Sequence, residues 1–251
     1  MSRLLQDQIV IFAGASGRVG GATLAAIVAH GASAVVVPSR TLARAQRSID
    51  EHLAPGDRAA AIPFEADLSA DGSGATLASF VARRFSRIDS VVSLAGGGSA
   101  FVSILESTHA DLEESVRNNL FVAYHLFVPA LRLMLGQEPR AGARSRGRLV
   151  AVTAGSSLTP QPRFGIMGAG KAGVNLLMRA IAREHKDAGI ISNAVVLGGV
   201  AIEAARRYLS EAEFAAAATP AEVADVLVFH ASDASSGVNG ELIHLNARET
   251  D

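Results

Sequence analysis

Short runs of apolar residues alternate with longer stretches rich in alanine and leucine along most of the chain. The apolar runs lie at 8–13, 34–38, 60–65, 90–95, 148–153, 191–197 and 241–245. Continuously apolar strands are typical of parallel sheets, which are buried on both faces. The pattern therefore predicts an α/β fold, a doubly wound Rossmann-type parallel sheet of about seven strands with helices on both faces.

The stretches between these runs have helical character. They lie at 19–30, 41–53, 75–85, 110–135, 164–184, 202–217 and 220–231. The length of 251 residues suits one large domain over 1–251 with a sizeable core. In a sheet of this kind, a ligand is expected beyond the carboxyl ends of the strands.

Composition and charge exclude several classes of function. Hydrophobic residues make up 49% of the chain and the formal net charge is −1, which gives no electrostatic reason to expect nucleic acid or an anionic membrane as a partner. The absence of cysteine excludes disulfides and thiolate chemistry, and no metal site is expected. No secretory leader or long apolar span is evident, so a cytoplasmic protein acting on a small molecule is the expectation.

A glycine-rich segment, GASGRVGG at 14–21, follows the first predicted strand and precedes a helix. Glycines at 14, 17 and 20 let the backbone turn sharply, approach a pyrophosphate and pack the helix on the strand. A purely structural tight turn is the alternative. The strand before and the helix after favour a nucleotide-binding loop.

The second predicted strand ends at Ser39 and Arg40, where an acidic residue would favour a free ribose 2′-hydroxyl. A guanidinium beside a hydroxyl suits a 2′-phosphate, so NADP(H) is favoured over NAD(H). A merely solvent-exposed Arg40 is the other interpretation. Arg18, inside the glycine loop, could add a second cation near the phosphates.

These features together resemble the short-chain dehydrogenase/reductase family over nearly the whole chain. The glycine loop is similar to the family's Gly-x-x-Gly-x-x-Gly variant, and Asp67 with Leu68 matches its adenine-contacting pair. Ala95 and Gly96 match the end of its Asn-Asn-Ala-Gly motif, with Ser93 and Leu94 in place of the two asparagines. The residues assigned to the cofactor are Gly14, Ser16, Gly17, Arg18, Val19, Gly20, Ser39, Arg40, Asp67, Leu68, Ala95, Gly96 and Lys171.

The resemblance departs from the family's catalytic pattern at two positions. It implies catalysis by a serine, a tyrosine and a lysine, with an asparagine that supports a water relay. Asn119 and Lys171 match the asparagine and the lysine, but Ala154 stands at the serine and Met167 at the tyrosine. The chain is therefore expected to be an atypical member that lacks the catalytic serine and tyrosine.

A thioether has no proton to give to the oxygen of a carbonyl that is being reduced. Loss of a positioned general acid removes about 10²- to 10⁴-fold in rate, and neither Tyr124 nor Tyr208 is placed to compensate. Lys171 has a second interpretation, implied by the resemblance, as a residue that binds the nicotinamide ribose hydroxyls. That binding role is the one we favour from the sequence.

Three functions are compatible with this degenerate site. The favoured one is an NADP(H)-dependent oxidoreductase that reduces an imine, an iminium or an activated alkene rather than a simple ketone. The alternatives are a redox-neutral cyclase, dehydratase or isomerase, and a non-catalytic nucleotide-binding partner of an active paralogue. A homodimer or homotetramer through the helices that carry Asn119 and Lys171 is expected in each case. The short insert at 198–220, with a helix over 202–217, predicts a small lid over the pocket.

Overall fold

One parallel sheet organises the computed structural model, whose described residues are 3–97, 101–207 and 209–245. Its strand order is β3-β2-β1-β4-β5-β6-β7 in the part of the chain described, and every pairing is parallel. The predicted doubly wound sheet is confirmed. The strands are β1 (Ile9–Ala13), β2 (Ala34–Ser39), β3 (Ala61–Glu65), β4 (Ser90–Ser93), β5 (Gly147–Ala154), β6 (Ile190–Leu197) and β7 (Leu242–Leu245).

Helices cover both faces of the sheet. Their bounds are α1 (Arg18–Ala29), α2 (Leu42–His52), α3 (Ser73–Phe85), α4 (His109–Val116), α5 (Val122–Leu135), α6 (Gly165–Glu184), α7 (Glu211–Ala216) and α8 (Pro220–Ala231). One apolar cluster joins the sheet to α3, α5 and α6, and a second joins it to α1, α2 and α8. Alternate strand residues supply the two clusters, Ile9 and Ile11 on one side of β1 and Val10 and Phe12 on the other. None of the helices among these residues is long and apolar enough to span a bilayer.

The chain changes direction across the sheet between β1 and β4. Strands β1 to β3 extend to one side and β4 to β7 to the other, so the helices that follow β1 and β4 lie on opposite faces. Such a switch leaves a crevice beyond the carboxyl ends of these two strands. The fold therefore places a ligand site next to the segment after Ala13 and the segment after Ser93.

The predicted helix over 202–217 is wrong. The structure has a short 3₁₀ turn, Glu203–Arg207, and then the separate helix α7. Ser210 explains the break, because its side chain accepts a hydrogen bond from the Glu213 N–H while the Glu213 carboxylate binds the Ser210 N–H. This reciprocal capping starts a new helix where the alanine-rich pattern suggested continuity.

The long helix predicted over 110–135 is interrupted by a π-helical turn. This turn spans Arg117–Phe121, between α4 and α5, and Asn119 is its buried residue. Glycine at position 170 lets α6 approach the same segment, because a Cβ there would lie 2.8 Å from the Ser115 Oγ. The Ser115 hydroxyl also donates to the Ile166 carbonyl at 2.8 Å. The turn and this close approach set Asn119 beside α6.

Candidate functional site

A cleft of about 490 Å³ lies at the carboxyl ends of the strands, where the direction of the sheet switches. Eight of the residues predicted for the cofactor line it: Gly14, Ser16, Ser39, Arg40, Asp67, Leu68, Ala95 and Gly96. Gly17, Arg18, Val19, Gly20 and Lys171 lie outside this lining, as does Asn119. The structure thus gathers segments far apart in the sequence around one open cavity.

The glycine loop has the geometry of a phosphate cradle. A Cβ at Gly14 would lie 2.8 Å from the Ala95 N, and one at Gly20 would lie 2.0 Å from the Gly14 carbonyl oxygen, so neither position tolerates a side chain. Gly17 has a φ of +144° and open space around its Cα. It precedes α1 without a side-chain cap, which leaves helix N–H groups to bind an anion. The loop therefore fits a dinucleotide pyrophosphate.

Two arginines, rather than one, border the cleft beyond β2. Arg40 is exposed directly after the strand, and Arg44, four residues later in α2, donates from Nη2 to the Ser16 Oγ at 3.0 Å. Sequence reasoning missed Arg44, although its spacing from Arg40 was the available signal. Arg18 is exposed in the first turn of α1 and takes no part in the lining.

The far end of the cleft combines an apolar surface with a polar edge. Leu68 and Val122 are buried there, and Asp67 lies beside them. The pKa of Asp67 is lowered, chiefly because the Ser69 hydroxyl donates to its carboxylate at 2.7 Å, with a smaller contribution from Arg40, although burial acts in the opposite direction. Glu114 and Asn118 also line this end, and nothing in the sequence pattern had singled them out.

Lys171 and Asn119 lie next to each other behind the wall of the cleft. The Lys171 Nζ donates to the Val152 carbonyl at 3.1 Å, and burial lowers its pKa to about 8. Asn119 donates from Nδ2 to a backbone carbonyl of α4, and its Oδ1 accepts from the Gly97 N–H at 2.9 Å. A Cβ at Gly96 would lie 2.7 Å from the Asn119 Oδ1 and 2.8 Å from the Lys171 Nζ. Glycine at 96 therefore lets both polar groups pack directly against the back of the cleft wall.

Ala154 ends β5 and Met167 lies in the first turn of α6, and both are half-buried. Met167 is one helical turn before Lys171, on the same face of the helix. The Ser157 hydroxyl is already engaged, donating to the Ala154 carbonyl at 2.5 Å and accepting from Asn175. Tyr124 is 50% exposed on α5, and Tyr208 lies outside the described residues.

The chain matches a known protein family over most of its length. A sequence model described as short chain dehydrogenase matches residues 8–213. The chain belongs to the short-chain dehydrogenase family. A 3-oxoacyl-[acyl-carrier-protein] reductase of Synechocystis sp. is 26% identical over 248 residues, covering 96% of each chain. An L-rhamnose 1-dehydrogenase (NAD(P)(+)) of Sphingomonas sp. is 27% identical over 248 residues, covering 95% of this chain and 94% of the relative.

Solved structures of short-chain dehydrogenases share the fold. A short-chain type dehydrogenase/reductase from Mycobacterium ulcerans superposes with a TM-score of 0.85 at 23% identity, over 100% of this chain and 94% of that one. NAD⁺-bound xylitol dehydrogenase superposes with a TM-score of 0.83 at 18% identity, over 97% and 99% of the two chains. Because a solved neighbour holds NAD⁺, the fold by itself does not select between the two dinucleotides.

Family membership gives the general chemistry. The protein is an oxidoreductase of the short-chain dehydrogenase family, whose members use NAD or NADP and act on small molecules. The glycine cradle and the open cleft of this chain fit such a cofactor.

Proposed function

We propose that this protein is an NADP(H)-dependent reductase with a degenerate active site, which reduces an imine, an iminium or an activated alkene rather than a simple ketone. The observation that carries the proposal is Met167. It occupies the position at which the family resemblance implies a proton-donating tyrosine, one turn before the buried Lys171. Ala154, at the position of the serine, removes the second hydroxyl.

The preference for NADP(H) is supported by the two guanidinium groups after β2. A 2′-phosphate carries oxygens that accept charge-assisted hydrogen bonds, and Arg40 and Arg44 both line the cleft at its β2 end. The lining residues at this end include no carboxylate that follows β2 directly, where one would favour a free 2′-hydroxyl. We assign the pyrophosphate to the N–H groups at the start of α1.

Reduction of a ketone and reduction of an imine place different demands on the side chains. The bound nicotinamide supplies hydride to an electrophilic carbon. A ketone oxygen then becomes an alkoxide and needs a donor at that moment, whereas an iminium yields a neutral amine and needs none. An activated alkene can take its proton from solvent. Met167 and Ala154 are compatible with the second and third cases and remove the hydroxyls that serve the first.

Two measurements on the purified protein test the proposal. The first is calorimetric titration with NADPH and with NADH, and the second is the rate of NADPH consumption with imines, enones and ketones. We expect tighter binding of NADPH than of NADH, and turnover with an imine or an enone above turnover with ketones. Gly17→Val is the control variant and is expected to bind neither dinucleotide, because a side chain at this φ fills the open phosphate cradle.

Three other outcomes would contradict the proposal, each in a recognisable way. Binding without any turnover would identify a non-catalytic nucleotide-binding partner. A product of unchanged oxidation state would identify a redox-neutral enzyme that keeps the cleft for another use. Absence of binding by either dinucleotide would remove the cofactor from the function altogether.

We also propose a cytoplasmic homodimer or homotetramer, assembled through the helices that carry Asn119 and Lys171. Large apolar side chains are exposed on these helices, at Leu112, Phe121, Tyr124 and Leu176. The proposal requires them to form one patch, because large exposed apolar patches mark protein interfaces. Light scattering on the purified protein is expected to give the mass of two or four chains. Leu176→Glu combined with Phe121→Glu is expected to shift the measured mass toward that of the monomer. A monomeric wild-type protein would contradict the assignment.

A further inference from the structure

Lys171 is a buried amine with most of its hydrogen-bonding capacity unused. The residue is 7% exposed, and the Val152 carbonyl, at 3.1 Å, is the one hydrogen-bond acceptor of Nζ among the described residues. An ammonium group has three protons to donate. Two of them are therefore left for solvent or for a ligand.

The elements packed against Lys171 present no counter-ion to it. The charged residues and histidines of α4, the π-helical turn, α5, β5 and β6 are His109, Asp111, Glu113, Glu114, Arg117, His125, Arg132 and Arg148, and none of them contributes to the shift of the Lys171 pKa. Burial is its one cause. Burial thus lowers the pKa of this amine to about 8 without the help of an ion pair.

The same amine packs directly behind the wall of the cleft. Gly96 lines the cleft with a φ of +130°, and a Cβ at this position would lie 2.8 Å from Nζ, so the absence of a side chain at Gly96 is what lets Nζ approach the wall this closely. Met167, one turn earlier, has no proton to transfer. Among the four positions that the family resemblance assigns to catalysis, Lys171 is the one with a proton that titrates near neutral pH.

We propose that the Lys171 ammonium is itself the proton donor to the substrate and that the substrate is a neutral imine. This inference rests on the proposed function. In the step, one N–H bond of Lys171 breaks and one N–H bond forms at the imine nitrogen, so lysine becomes a neutral amine and the substrate an iminium ion. Reduction of the iminium carbon consumes one NADPH, and solvent returns a proton to Lys171. Overall, imine, NADPH and one proton give amine and NADP⁺.

A titration of the protein by NMR tests the state of Lys171 without any turnover. The chain contains two lysines, Lys171 and Lys186, so protein labelled with ¹³C at the lysine ε-carbon gives two resonances. Lys171→Arg assigns them. We expect Lys171 to titrate with a midpoint of about 8, well below the usual value of about 10.4 for a lysine side chain. A midpoint for Lys171 at that usual value would overturn the proposal.

A pair of substrates separates proton donation from cofactor binding. A neutral imine needs the proton, whereas its N-methylated iminium analogue carries the charge already. Lys171→Met is expected to lower kcat for the imine by about 10²- to 10⁴-fold and to change kcat for the iminium much less. In the wild-type protein, the ratio of the imine rate to the iminium rate is expected to fall as pH rises through the Lys171 midpoint, because the donor must be protonated.

Calorimetric titration of NADPH into the wild-type protein and each variant distinguishes failure of this inference from failure of the proposed function. Equal losses for imine and iminium would assign Lys171 to binding or positioning and overturn this inference, whatever the affinity for NADPH. Absence of NADPH binding by the wild-type protein would overturn the proposed function and this inference with it. If Lys171→Met does not fold, Lys171→Arg serves in its place, since a guanidinium keeps the charge but does not release its proton near neutral pH.

Discussion

Met167→Tyr combined with Ala154→Ser is expected to create ketone reduction, or to raise its rate by about 10²- to 10⁴-fold over that of the wild-type protein. The new phenol would lie one helical turn before Lys171, whose ammonium lowers the pKa of a neighbouring hydroxyl. Ala154 is half-buried at the end of β5, and a serine there would add a donor to the developing alkoxide. The measurement is NADPH consumption with a panel of ketones.

Met167→Phe with Ala154→Ser is the matched control for this gain. Phenylalanine has nearly the shape of tyrosine but no hydroxyl, so it separates the supply of a proton from a change in the shape of the pocket. We expect little ketone reduction from it. If the tyrosine variant binds NADPH and gains no ketone activity, residues other than Ala154 and Met167 must have diverged, and the degenerate site would not be explained by these two positions.

Arg40→Ala combined with Arg44→Ala is expected to weaken NADPH binding by about 10²-fold or more and to leave NADH binding nearly unchanged. Each charge-assisted hydrogen bond contributes about 1.5–3 kcal/mol, and a tenfold change in affinity corresponds to about 1.4 kcal/mol. Both side chains border the cleft after β2, where the extra phosphate of NADPH is assigned. Calorimetry at one fixed salt concentration measures both affinities, because exposed charges are screened by salt.

Arg47→Ala provides the control for this loss of affinity. Arg47 is exposed on α2, less than one turn beyond Arg44, and does not line the cleft. Arg47→Ala should leave the affinities for NADPH and for NADH unchanged. Equal weakening of NADPH and NADH in the double variant would mean that the two arginines attract phosphate in general, and the assignment of a 2′-phosphate site would then fail.

The local pattern of the sequence accounted for most of the secondary structure. Buried parallel strands are apolar along their whole length, so their positions could be identified from short windows, and the strands differ from prediction by one or two residues at their ends. The failure over 202–217 arose because alanine content indicates a helix without saying where it begins. Ser210 and Glu213 decide that through two hydrogen bonds.

The site was predictable only where a motif is contiguous in the sequence. The glycine loop, Arg40 and the segment ending at Gly96 each follow a strand, and the cleft is lined by residues of all three. Arg44 was missed because it lies inside a helix that also carries the exposed Arg47, and the hydrogen bond from Arg44 to Ser16 distinguishes the two. Glu114 reaches the cleft from α4 and Asn118 from the π-helical turn, and neither belongs to a motif that is recognisable in the sequence.

The sequence by itself determined the parallel sheet, the glycine cradle and the absence of hydroxyl groups at positions 154 and 167, because these depend on residue type and local spacing. Only the tertiary structure decided the environment of Lys171. Its burial, its hydrogen bond to the Val152 carbonyl and its place behind Gly96 result from the packing of α6 against β5 and the π-helical turn. A lysine pKa is lowered by the loss of surrounding water, and that loss is a property of the assembled fold rather than of any stretch of sequence.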